Sequence, residues 1–95
     1  MTHGDAERTQ QLADLLRETA HAHHQAYAHT NGEDPEWPIW YADYLHRHIA
    51  ALFDMPFTRS ELVYLLVAAE RERAANDPTA DWPVFYAAFI LSSET

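Results

Sequence analysis

Apolar residues along this chain fall into four stretches of helical period, separated by turn residues. Leu12, Leu15, Leu16, Thr19, Ala26 and Tyr27 recur at intervals that place them on one face of a helix. That helix is expected from about Asp5, a suitable N-cap, to about His29. NGEDPE, residues 31–36, ends it: Asn–Gly accepts the left-handed conformation and Asp–Pro breaks a helix. A second helix opens at Trp37–Pro38, because proline loses nothing in a first turn whose N–H groups have no partner. It is expected to run to about Phe53, and DMPF, residues 54–57, separates the two halves. Thr58-Arg59-Ser60-Glu61 has the spacing of a capping box, so a third helix starts there and continues to about Ala75. NDPTAD, residues 76–81, is the second loop, and a fourth helix follows from Trp82 to about Ser92. Strand alternation is absent. The expected fold is all-α: a four-helix array made of two tandem helical hairpins, about 5–53 and about 58–92, in one domain spanning 1–95.

The halves share a phrase. EWPIWYADYL at 36–45 and DWPVFYAAFI at 81–90 align at an offset of 45 (82 minus 37), pairing Trp37 with Trp82, Pro38 with Pro83 and Tyr41 with Tyr86. Upstream, the same offset pairs Asn31 with Asn76 without a gap. A repeat of this length suggests a duplicated supersecondary unit. Each WP string is apolar all round, more than one hairpin buries, so the two copies are expected to pack on each other. In helix four, Val84, Phe85, Tyr86, Phe89, Ile90 and Leu91 cover every side, which predicts a central helix or an interface. Helix two carries a second stripe, Trp40, Tyr44 and Ala51, opposite its main apolar face. Trp40, Tyr44 and the neighbouring Arg47 are therefore the candidate ligand or interface residues.

Charge changes the list of partners. Fifteen acidic residues stand against six arginines with no lysine, a formal net charge of −9. Such a surface repels nucleic acid and anionic lipid, which need clustered positive charge, and attracts basic partners. The seven histidines would cancel most of that charge on protonation, near pH 6. Cysteine is absent, so thiolate chemistry and disulfides are excluded. No apolar run approaches the roughly 18 residues of a membrane span, and MTHGDAERTQ lacks the features of a signal peptide. A cytoplasmic protein is expected, with no nucleic-acid and no membrane partner.

Candidate chemistry lies with histidine. Four of the seven, His21, His23, His24 and His29, fall in helix one, and His23 alone sits near the centre of its apolar face. The repeat nominates partners for it. Asp43 stands where the second copy has Ala88, and His46 where it has Leu91, although packing alone tolerates alanine and leucine there. Two histidines and a carboxylate, His23, Asp43 and His46, would suit zinc or iron with open positions. The structural alternative pairs Asp43 with Arg47 at i,i+4 on a solvated face, sets His46 at the rim and leaves His23 packed with one hydrogen bond, with no cofactor. Glu18-x-x-His21 has di-iron spacing, but it points away from the apolar face. Neither a nucleophile elbow nor a phosphate-cradling glycine loop is present.

The WPIWYADYL stretch and the histidine-bearing helix before it, about residues 20–46, resemble small helical bacterial proteins of uncharacterised function carrying a W-P-x-[WF]-Y-A motif. This resemblance implies a helical fold and assigns no functional residue. Size and acidity are also similar to those of the helical immunity proteins that neutralise nuclease toxins. Three functional expectations follow. The first is a non-enzymatic protein-interaction module, with a protein partner or a second copy as homodimer. The second is a metal- or small-ligand-binding protein using His23, Asp43 and His46. The third is an acidic, immunity-like inhibitor of a basic partner.

Overall fold

The computed structural model describes residues 3–31, 33–51 and 57–93. They form α1 (His3–Ala26), α2 (Trp37–Ile49), α3 (Arg59–Asn76) and α4 (Trp82–Ser92), with a single 3-10 turn at Ala28–Thr30 and no strand among them. The fold is an all-α four-helix array. Each helix packs on two others: α1 on α2 and α4, and α3 on the same two. None of the described helices is long and apolar enough to cross a membrane.

Local chemistry sets most boundaries where the sequence places them. Thr58 Oγ1 accepts from the Glu61 N–H at 3.1 Å, and Glu61 Oε1 accepts from the Thr58 N–H at 2.8 Å, which completes the capping box of α3. Pro38 and Pro83 both occupy the first turn of their helices. Asn31 adopts the left-handed conformation at φ 59° and closes the 3-10 turn through its N–H to the Ala28 carbonyl. Three expectations are corrected. The first helix begins at His3, so Asp5 lies inside it rather than capping it. That helix also stops at Ala26 instead of His29, because Tyr27 leaves helical geometry and residues 28–30 tighten to the 3-10 form. Finally, α2 stops at Ile49, where an Ala51 N–H to His48 carbonyl bond turns the chain; Phe53 lies outside the described residues.

Burial follows the period of each helix. Leu12, Leu15, Leu16, Thr19 and His23 form the inner stripe of α1, and Leu62, Leu65, Leu66 and Ala69 that of α3. Ala42, Leu45 and Ile49 face inward from α2, and Tyr86, Ala87 and Ile90 from α4. Fully burying one leucine contributes roughly 1.5–3 kcal/mol, so this stripe-on-stripe contact is the main source of stability. In the α1 stripe the Thr19 hydroxyl donates to the Leu15 carbonyl at 2.7 Å.

This burial pattern also revises the gapless alignment. The buried stripes of α1 and α3 match at an offset of 50 (62 minus 12), pairing LADLL at 12–16 with LVYLL at 62–66. Those of α2 and α4 match at 45. The difference lies in the first loop, which holds the 3-10 turn that the second loop lacks. Asn31 and Asn76 are therefore not counterparts: one closes a 3-10 turn, and the other ends α3. In the revised register Arg73 takes the place of His23.

Candidate functional site

The first turns of α2 and α4 bring four aromatic rings together. Trp37 meets Tyr41 edge-to-face at 5.2 Å between ring centres, and Trp82 meets Tyr86 in the same way at 5.1 Å. Across the helices, Trp37 lies over Tyr86 at 6.4 Å and Tyr41 against Trp82 at 6.3 Å. The four rings make a closed circuit in which each touches two others. This is where the two WP strings meet, as expected of faces that one hairpin cannot cover. Residues at i and i+4 on a helix lie one above the other, so each Trp and its Tyr stand on the same side of their helix.

These rings wall an open pocket of about 390 Å³, lined also by Glu70, Arg73 and Ala80. Its polar groups are tied to one another. Arg73 grips Glu70 with two parallel bonds, Nε to Oε1 at 3.0 Å and Nη2 to Oε2 at 2.8 Å. Its Nη1 donates to the Pro78 carbonyl at 2.9 Å, which holds the second loop against α3. The Tyr86 hydroxyl donates to Glu70 Oε1 at 2.6 Å. Arg73 therefore holds the Glu70 carboxyl below its usual range, against the opposing effect of partial burial and with help from Tyr86. Burial first, and then the bond to Glu70, push the Tyr86 hydroxyl well above the ordinary tyrosine value. Burial also raises Tyr41. At neutral pH the pocket thus presents two neutral phenols, two indoles and a self-neutralised ion pair.

On the far side of Tyr41 lies a second buried polar pair. His23 Nε2 and Asp34 Oδ2 are 3.0 Å apart, each side chain only 8% exposed. The other oxygen of Asp34 accepts from the Glu36 N–H at 3.0 Å, which shapes the entry into α2. The His23 ring stacks on Tyr27 at 4.7 Å and meets the edges of Trp40 and Tyr41 at 5.2 and 5.4 Å. His23 is buried, as its place on α1 requires, and its partner comes from the first loop.

The other sequence candidates go elsewhere. Asp43 bonds Arg47 at 3.1 Å and Arg59 at 3.3 Å on an open face. His46 is half-buried on α2. Among the described residues no three His, Asp or Glu side chains are grouped to hold a metal ion, so His23, Asp43 and His46 are not brought together. Trp40 and Tyr44 are half-buried rather than bare. They stack on each other at 5.6 Å, Trp40 packs on His23, and the Tyr44 hydroxyl donates to Glu18 at 2.7 Å. Arg47 lies 6.0 Å above the Tyr44 ring. Among the described residues, the large apolar side chains that do face solvent are Ile39, 59% exposed, and Tyr64, 70% exposed.

Glu70, Arg73 and Asp34 are the residues that sequence reasoning missed. Two signals pointed to them: the LxxLL register that sets Arg73 opposite His23, and the acid of the Asp–Pro turn. Compared with protein-family models, curated proteins and solved structures, the chain matches none. Its functional reading rests on geometry.

Proposed function

We propose that this chain is a small binding module whose ligand site is the pocket between the first turns of α2 and α4. The observation that carries the reading is the closed circuit of Trp37, Tyr41, Trp82 and Tyr86 around an open cavity. Ligand sites are typically concave, mostly apolar and aromatic, with a few fixed polar groups, and span roughly 300–1,000 Å³. The polar groups here are oriented by mutual hydrogen bonds, which favours holding a ligand over transferring protons to it. A thermal-shift screen of small fragments tests the reading. Binders should raise the melting temperature of the wild type and lose that effect in Ala80→Phe, which fills the pocket from its loop side. A set of binders indifferent to Ala80→Phe would move the site elsewhere.

A second reading keeps the protein-interaction module, with a second copy as partner, on a different face. A groove on α3 and α4 is lined by Tyr64, Val67, Ala68 and Phe89, with Arg71 and Glu72 at its rim. At the matching α1 positions stand Asp14, Arg17 and Glu18. The second hairpin thus lacks charge where the first carries it, and exposed apolar patches mark interaction sites. Tyr64→Glu should abolish any dimer seen by sedimentation velocity while preserving helicity. Trp40→Glu is no clean probe of such an interface, since it would unpack His23.

A further inference from the structure

We propose that the group taken by the aromatic pocket is a methylated or quaternary ammonium. The proposal rests on the reading of that pocket as the ligand site and names the chemistry it selects. The four rings are the first reason. Their electron-rich faces attract a cation, tryptophan most strongly, and the attraction grows as the cation sheds water.

Electrostatics around the pocket point the same way. Among the described residues Arg73 is the only cation in its wall, and each of its guanidinium nitrogens already donates, two to Glu70 and one to the Pro78 carbonyl. Its charge is already matched by Glu70, so a carboxylate or phosphate would meet a paired cation. The helix starts carry a partial positive charge; Glu36 stands at the N-cap of α2 and offsets it there, and Asp81, paired with Arg17 at 2.8 Å, stands at that of α4. At longer range the chain bears a net charge of −9, which draws cations and repels anions.

Hydrogen bonding decides between kinds of ammonium. Glu70 Oε1 already accepts from both Arg73 and Tyr86, and Oε2 accepts from Arg73, which leaves fewer acceptor sites there than an ammonium has protons. A primary ammonium brings three N–H donors and would leave some unsatisfied on entering. A trimethylammonium brings none, and it offers a round apolar surface to the rings. The source is a free choline-like molecule or a methylated lysine side chain, since both present the same group.

The test is a tryptophan-fluorescence titration in a Trp40→Phe background, where Trp37 and Trp82 are the remaining reporters. The probes are choline, its neutral carbon isostere 3,3-dimethylbutanol, and a short peptide with trimethyllysine or unmodified lysine. Choline is expected to bind saturably and about tenfold more tightly than the isostere, the scale of a desolvated cation–π contact. A trimethyllysine peptide binding more tightly than choline, with the lysine peptide inert, would identify a protein side chain as the source. Choline alone would identify a free small molecule. Trp82→Leu and Ala80→Phe should both abolish the response, the second without removing core packing. Equal binding of choline and isostere would overturn the ammonium assignment and leave an apolar ligand site standing. So would binding of uncharged aromatic fragments with no response to either ammonium probe. Silence toward every probe and fragment would overturn the pocket reading as well, and full choline affinity in Ala80→Phe would overturn the location.

Discussion

Removing Asp34 tests how the first loop is held. Its carboxylate has one oxygen on His23 Nε2 and the other on the Glu36 N–H, both at 3.0 Å. Asp34→Ala strips both acceptors. Glu36 is exposed and its N–H can turn to water; His23 is buried under Tyr27, Trp40 and Tyr41 and cannot. An unsatisfied buried polar group costs about 1–3 kcal/mol, and the lost turn bond about 0.5–1 kcal/mol more. The expected loss is about 2–3 kcal/mol, or roughly 10–20 °C in melting temperature for a domain of this size. Urea denaturation followed by far-UV circular dichroism measures it. The pairing itself is isolated by a cycle with His23→Phe, which keeps the aromatic packing and removes the ring nitrogens. In that background Asp34→Ala should cost only about 1 kcal/mol, giving a coupling of about 1–2 kcal/mol. A loss below about 0.5 kcal/mol, or strict additivity, would refute a structural role for the pair.

Other expectations follow from the same contacts. Leu66 is fully buried, so Leu66→Ala should cost about 2–5 kcal/mol in a denaturation curve. Asp43→Ala with His46→Leu matches the first hairpin to the second and removes only exposed ion pairs. It should change stability by no more than about 1 kcal/mol, with or without zinc or iron(II); a metal-dependent melt lost in the double variant would restore the histidine site. Tyr86 and Tyr41 hold their protons more tightly in the folded chain. Their contribution to stability is complete below about pH 10 and is lost as pH rises through the higher folded values. The urea midpoint should therefore fall above that pH, and less steeply in Tyr86→Phe. Thr58→Ala should cost about 1 kcal/mol by removing one half of the α3 capping box.

Much of the fold was legible because local rules decide it. The Thr58–Glu61 box, the two Trp–Pro helix starts and the left-handed Asn31 each act within a few residues. The spacing of Leu12, Leu15 and Leu16 is enough to place His23 inward. What escaped sequence reasoning depends on contacts between elements. Asp34 reads as a turn residue until the loop folds back on α1. Glu70 and Arg73 sit near the end of α3, and only Tyr86, arriving from α4, makes them part of a site. Trp40 and Tyr44 look bare on a helical wheel of α2, but α1 covers them with His23 and Glu18. The exposed Tyr64 was hidden for the opposite reason: the apolar residues of α3 spread round much of the helix, so no clear polar face marks its outer side. Burial sets LADLL beside LVYLL at an offset of 50 while the Trp–Pro strings keep 45, so the extra residues fall in the first loop.

The pocket is tested most directly by titrating a hit from the fragment screen into isotopically labelled protein and mapping the shifted amide and indole signals. The expected outcome is a saturable change confined to Trp37, Tyr41, Glu70, Arg73, Ala80, Trp82 and Tyr86. Shifts clustered instead around Tyr64, Val67 and Phe89, or spread evenly over the four helices, would contradict it.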